Sequence, residues 1–270
     1  LKSFRPTFRT VGEEELSDLP RMADQLDVSS GPGSPKRKIS LGVCCMASKA
    51  KGLPMQSILK RLEQSGDFQI VVFPEDVILN EPIEVWPKVE SLISFTSGGF
   101  PLEKAVAYCK LVGPRVINSL EIQKRLASRL DVYRTLQDWG IPCPSYIYID
   151  HLNSETNALL EENENDIVFN GQKLTKPFVE KPLDGDRHDI WIHYPRSVGG
   201  GAKKLFRKEK DQSSEFDAQQ TTIRRDGEYI YERFLPTQGT DIKVYTVGVD
   251  YIHAEARKAP TVDGKVQRSK

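Results

Sequence analysis

From residue 38 onward, short apolar runs alternate with stretches of helical period. Ile39, Leu41, Val43 and Cys44 predict a strand. Behind Pro54, the residues Met55, Ile58, Leu59 and Leu62 recur at the three- and four-residue spacing of one helix face. Residues 68–73, 92–95 and 116–117 predict three more strands, and 102–111 another helix. Strands separated by helices imply a parallel sheet with helices on its faces, here a first domain at 38–120. A helix is expected over 121–139, stopped by Gly140 and Pro142. Beyond Cys143 the texture changes to strands, at 146–149, 178–181, 190–194, 229–234, 242–247 and 251–255, in a second domain spanning 121–270. The acidic stretch 153–166 reads as a surface loop insertion, and Gly199-Gly200-Gly201 falls between two strands. Residues 1–37, rich in Gly, Pro, Ser and charge, bury little apolar area and read as a flexible tail or linker, with a short helix expected near 13–26.

Charge alters this picture locally rather than globally. Thirty-eight Lys and Arg balance thirty-eight Asp and Glu, so bulk charge makes no case for nucleic acid, and the basic runs lack interleaved aromatics. Those runs are Lys203, Lys204, Arg207, Lys208 and Lys210; Arg224-Arg225; Arg257-Lys258; and Lys265 with Arg268. Gathered into one cleft they would focus a positive potential; left apart they are an ordinary solvated surface. No apolar run approaches the roughly 20 residues that cross a bilayer. The first five residues lack the apolar core of a signal peptide, and Cys44, Cys45, Cys109 and Cys143 show no CxxC spacing, so buried thiols in the cytosol are expected.

Several segments carry candidate chemistry. In Lys176-Pro177-Phe178-Val179-Glu180-Lys181-Pro182, Lys181 ends an otherwise apolar strand and is placed to meet nucleotide phosphates. The three glycines at 199–201 let backbone N–H groups approach phosphate oxygens, with Arg207 and Lys208 following at strand spacing. They form no P-loop, since GxxxxGK[ST] is absent. The strand 229–234 ends at Pro236, where free backbone groups would suit an adenine ring. Asp241 and Lys243 alternate with apolar residues on one strand face, and Asp263-Gly264 predicts a tight turn that sets Arg257 and Arg268 on either side of an anion. The histidines at 151, 188, 193 and 253 have no metal-ligand spacing; His188 is a candidate nucleotide contact, while His193 and His253 read as packed or surface residues.

Taken together these segments resemble the kinase domain of the diphosphoinositol pentakisphosphate kinases. The resemblance runs from about Lys38 to Arg268 and is carried by Val77-Ile78-Leu79-Asn80-Glu81-Pro82, Gly99-Phe100-Pro101-Leu102-Glu103-Lys104, the Lys176 to Pro182 segment, the triple glycine with Leu205-Phe206-Arg207-Lys208, and Gly239-Thr240-Asp241-Ile242-Lys243-Val244-Tyr245. It implies an α/β ATP-grasp fold behind an N-terminal Rossmann-like parallel sheet. Ser128-Arg129 and Gly140-Ile141-Pro142-Cys143-Pro144 fit the usual opening of such a domain. By position it implies ATP contacts at Arg129, Lys181, His188, Arg207, Glu232, Asp241 and Lys243, and inositol phosphate contacts at Lys49, Lys208, Arg257 and Arg268. Of these, Lys243, Arg207 and Arg268 would act on the reacting groups, and Ser48 replaces a further basic residue. ATP and Mg²⁺ are implied as cofactors, with inositol hexakisphosphate or diphosphoinositol pentakisphosphate as substrate at the ring 1-position. The family's magnesium-binding carboxylates match positions beyond Lys270, so an incomplete ATP-grasp domain is expected. A monomer is expected. An ATP-grasp ligase joining carboxylate to amine, and a module that binds both ligands without turnover, are the competing readings.

Overall fold

The computed structural model describes residues 37–209 and 212–261, without the side chain of Lys208. The expected helix at 13–26, Arg268 and the turn at 263–264 lie outside the described residues.

The first unit runs β1 (Ile39–Cys44), α1 (Ala47–Ala50), α2 (Leu53–Ser65), β2 (Phe68–Val72), α3 (Glu75–Asn80), β3 (Ser91–Ser94), α4 (Leu102–Val112) and β4 (Arg115–Val116). Its four strands are parallel in the order β2-β1-β3-β4. Leu41, Val43 and Cys44 are all buried, as a central parallel strand covered on both faces requires. One apolar cluster gathers Phe73, Trp86, Leu92 and Tyr108; the other holds Val43, Cys45, Met55 and Leu59. Phe73 meets Tyr108 edge-on at 5.6 Å, and the Tyr108 hydroxyl donates to the Pro87 carbonyl at 2.6 Å, so its one polar atom is satisfied. Gly42 sits where the sheet is tightest: a Cβ there would lie 2.8 Å from Val89 Cγ2.

The single helix expected over 121–139 is two, α5 (Leu120–Leu126) and α6 (Arg129–Asp138). Between them Ser128 is extended (φ −108°, ψ 118°) and its hydroxyl accepts from the Asp131 N–H, capping α6. The two helices serve different sheets. Gln123 of α5 accepts from Thr96 N–H at 2.8 Å and donates to Ser94 C=O at 2.9 Å, on the parallel sheet. Tyr133 of α6 packs on Tyr146 of the second sheet, ring centroids 4.5 Å apart.

The second unit contains β5 (Tyr146–Asp150), α7 (Ser154–Ala158), β6 (Leu160–Glu162), β7 (Asp166–Phe169), β8 (Gln172–Thr175), β9 (Phe178–Pro182), β10 (Ile190–His193), β11 (Ala202–Glu209), β12 (Gln212–Asp217), β13 (Glu228–Arg233), β14 (Thr240–Val247) and β15 (Tyr251–Lys258). An antiparallel six-stranded sheet has the order β12-β11-β10-β9-β13-β5. The acidic segment expected as a surface loop instead forms α7, β6 and the start of β7, part of a three-stranded sheet β6-β7-β8. It is structured because Ile167 and Leu174 supply a buried face, which joins Ile147, Ile149, Phe178, Tyr229 and Tyr231 in one core. The two remaining strands, β14 and β15, pair as a hairpin, and among the described residues they pair only with each other.

Candidate functional site

Antiparallel register decides which side chains share a face. Lys181 is opposite Ile230, Glu232 opposite Val179 and Tyr146, and Ile190 opposite Leu205. Arg207 follows a register irregularity in β11 and is placed by its own contact with Asp186. With strand period two, the register puts Lys181 and Glu232 on the face covered by α6. There the Lys181 ammonium pairs with the Glu232 carboxylate, which also accepts from the Tyr133 hydroxyl of α6. Glu232 is 8% exposed at its side chain and Lys181 24%, so the pair is largely withdrawn from water. Burial, with Glu232 beside it, pushes the Tyr133 phenol far above its ordinary value and keeps it a donor.

The loop leaving β9, residues 183–189, closes this face. Arg129, the first residue of α6, donates to the carbonyls of Pro182 (2.6 Å), Asp184, Gly185 (3.2 Å) and Arg187 (2.7 Å). Its own N–H donates to Leu183 C=O at 2.9 Å. Arg207, at the far end of β11, donates to Asp186 C=O at 3.2 Å. Burial, then the positive Arg207 and Arg129 nearby, hold the His188 imidazole below its ordinary value of 6.5. Arg129, Lys181, His188, Arg207 and Glu232 therefore converge around one loop.

The opposite face of the sheet braces that loop. Glu180 is fully buried and accepts from Arg224 Nε at 2.5 Å, from the Arg224 N–H at 3.0 Å, and contacts His193 Nε2 at 3.2 Å. The same guanidinium reaches Asp189 through Oδ2 (2.5 Å) and the backbone carbonyl (2.7 Å), and lies over the Tyr229 ring at 4.5 Å. Burial raises the Asp189 carboxyl, but hydrogen bonds from Arg187 and Arg224 overcome this and hold it below its ordinary value. Arg224 thus ties the loop to the sheet. Its Arg-Arg dipeptide marks it only as part of a basic run, and nothing in sequence pairs it with Glu180, forty-four residues away.

Other predicted residues fall elsewhere. The triple glycine turn joins β10 to β11 at the end away from Arg207; six residues at about 3.3 Å each put them roughly 20 Å apart. The expected cradle of glycines with Arg207 is thus not formed. Asp241, Lys243 and Arg257 lie on the β14–β15 hairpin, Asp241 directly opposite Arg257 and Lys243 over the Tyr245 ring at 4.5 Å. The hairpin is fastened at its base, where Lys203 donates to Thr261 C=O (2.7 Å) and Ser214 to Pro260 C=O (2.6 Å). Lys49, exposed on α1, stands at the carboxyl end of β1, the edge of a parallel sheet where ligands commonly bind. His193 is buried and His253 exposed. Among the described residues no three His, Cys, Asp or Glu side chains converge as a metal-ligand set, and no helix is long and apolar enough to cross a membrane.

Residues 39–128 match the family model described as the diphosphoinositol pentakisphosphate kinase 2 N-terminal domain. The chain is 50% identical over 234 residues, 86% of its length, to inositol hexakisphosphate and diphosphoinositol-pentakisphosphate kinase 2 of Homo sapiens, covering 19% of that protein. It is 42% identical over 251 residues, 85% of its length, to the Saccharomyces cerevisiae inositol hexakisphosphate and diphosphoinositol-pentakisphosphate kinase, covering 22% of it. Among solved structures, the RimK domain ATP-grasp protein of Sphaerobacter thermophilus superposes with a TM-score of 0.44 and 11% identity over 76% of this chain and 68% of that one. N5-carboxyaminoimidazole synthetase of Staphylococcus aureus gives a TM-score of 0.44 and 14% identity over 83% and 55%. The chain spans about a fifth of the length of the curated relatives it matches. Over the matched residues it belongs to the family of the inositol hexakisphosphate and diphosphoinositol-pentakisphosphate kinases.

Proposed function

We propose that this chain forms the nucleotide-holding part of an ATP-grasp kinase that transfers the ATP γ-phosphoryl group to a phosphate of inositol hexakisphosphate or diphosphoinositol pentakisphosphate, at the ring 1-position. The relatives are named inositol hexakisphosphate and diphosphoinositol-pentakisphosphate kinases, while the 1-position rests on the resemblance alone. The observation that carries the reading is the convergence of Arg129, Lys181, His188 and Arg207 on the 183–189 loop, with Glu232 beside them.

Each residue then has a physical task. Lys181, paired with Glu232, exchanges part of that pairing for a nucleotide phosphate; one such contact at 4 Å is worth about 4 kcal/mol at an effective dielectric near 20, before desolvation. Arg129 spends its donors on loop carbonyls, so it shapes the loop and adds its charge from behind. Arg207 contributes a second cation from the far end of β11, two strands away from β9. The acceptor is a phosphate oxygen, already anionic, so the reaction needs no general base and rests on positioning and charge neutralisation. Asp241, Lys243 and Arg257 on the hairpin, with Lys49, Lys208 and Arg268, are assigned to ATP and to the polyanionic inositol, whose phosphates each carry about −1.5 to −2 charge. Mg²⁺ would neutralise the transferring phosphates in such a kinase; the described residues provide no ligand set for it, and no step here is derived through it.

A nucleotide titration tests the assignment. Lys181→Met should weaken ATP binding at least tenfold, whereas Lys204→Met, whose ammonium lies over Trp191 at 5.8 Å, should leave it unchanged. Equal affinity of wild type and Lys181→Met would remove the nucleotide from this face.

A further inference from the structure

At the other end of β9, away from the 183–189 loop, a cavity of about 480 Å³ opens between the β10–β11 turn and the segment joining β12 to β13. It is lined by Lys176, Arg196, the glycines at 199–201 and Thr221. Glu162 and Glu164 line it as well, so its charge balance decides what it would hold.

Each carboxylate of this neighbourhood already has its cation. Glu162 pairs with Arg225 at 3.1 Å and accepts the Ile223 N–H at 2.7 Å. Glu164 pairs with Arg196. Asp166 pairs with Lys173 at 2.7 Å and accepts from Asn163 at 2.9 Å. Lys176 alone of these cations has no direct ion pair among the described residues, although Glu162, Asp166 and Glu164 lie near enough to offset part of its charge. The residue is 7% exposed, and among the described residues its ammonium has one hydrogen bond, to Thr221 C=O at 3.3 Å. Burial pushes its pKa below the ordinary lysine value. A buried ammonium with donors to spare, facing a cavity, is normally matched by an anion.

We propose that this cavity binds a small oxyanionic ligand, a carboxylate or a phosphate, through Lys176, with Arg196 at its mouth. Arg196 is 76% exposed at its side chain, and an exposed pair such as Arg196–Glu164 contributes little, so its guanidinium is free to swing to a ligand. Gly199 and Gly200 leave open space where side chains would otherwise stand, at φ +103° and +67°. The site is separate from the nucleotide face, because it lies across β9 from Lys181.

The test is a lysine-selective NMR titration of the chain with inorganic phosphate and, separately, with acetate. A saturable change at the Lys176 ammonium, with its pKa rising on binding, is expected from at least one probe. Saturation by phosphate alone assigns phosphate ligands, by acetate alone carboxylates, and by both an oxyanion site of broad choice. Lys176→Met should abolish the response. Arg196→Gln, an exposed change that leaves the fold intact, should weaken it several-fold. Failure of both probes to shift Lys176, or a response undiminished in Arg196→Gln and Lys176→Met, would overturn the proposal.

Discussion

Lys181 and Glu232 meet diagonally across the β9–β13 pair, two residues out of direct register, and the Tyr133 hydroxyl of α6 closes on the same carboxylate. One helix and two strands are thereby joined through a single acid. Lys181→Met should lower stability by about 2 kcal/mol, because Glu232 is left with a neutral donor in a largely buried position. Adding Glu232→Gln should recover part of that loss. Urea unfolding of the two single variants and the double variant gives the coupling directly; strict additivity would mean that the pair does not interact.

Arg224 holds a fully buried carboxylate and the loop at once. Arg224→Lys keeps the charge but not the fork that reaches both Glu180 and Asp189, so about 3 kcal/mol should be lost. Hydrogen exchange at residues 187–189 should quicken in the same variant. Unchanged exchange there would show that the loop is braced from the Arg129 side alone.

His151 is buried between Asn157 and Tyr231, and burial holds its imidazole below the ordinary value of 6.5. The unfolded chain therefore takes up this proton first as the pH falls. The stability is fully present above about 6.5 and declines below it, until the pH passes the folded-state value. His188 shifts in the same direction, so the His151 share must be read as a difference. Unfolding free energies of wild type and His151→Gln at pH 7.5 and 5.5 should show a smaller loss on acidification in the variant. An equal loss would place the pH dependence elsewhere.

The glycines of the β10–β11 turn differ in what surrounds them. An added Cβ at Gly200 meets open space, and Gly200→Ala should cost about 1 kcal/mol for its positive φ alone. At Gly201 the Cβ would lie 2.8 Å from Asp217 C=O, so Gly201→Ala should cost about 3 kcal/mol. Thermal unfolding of the two variants ranks them; the reverse order would contradict the turn geometry.

What the sequence discloses here is periodicity. Ile39, Leu41, Val43 and Cys44 predict the β1 strand, and Lys181 stands out at the end of the apolar β9, whereas only the β9–β13 register puts Glu232 on its face. The break between α5 and α6 was hidden because neither Gly nor Pro marks it; Ser128 caps the second helix where the chain changes sheets. The acidic 153–166 segment misled because Glu155, Glu161 and Glu164 face solvent, while the buried Ile167 lies just beyond it. Proximity along the chain misled at Gly201 and Arg207, since a strand holds its two ends apart. The Glu180–Arg224–Asp189 brace needed long-range contacts that no local pattern encodes.

The central claim is most directly tested by incubating the protein with γ-labelled ATP, Mg²⁺ and inositol hexakisphosphate and separating products by charge. The account predicts a labelled inositol species more anionic than the substrate, lost in Lys181→Met and retained in Lys204→Met. ATP consumed without any labelled inositol product, or a product formed equally by Lys181→Met, would contradict it.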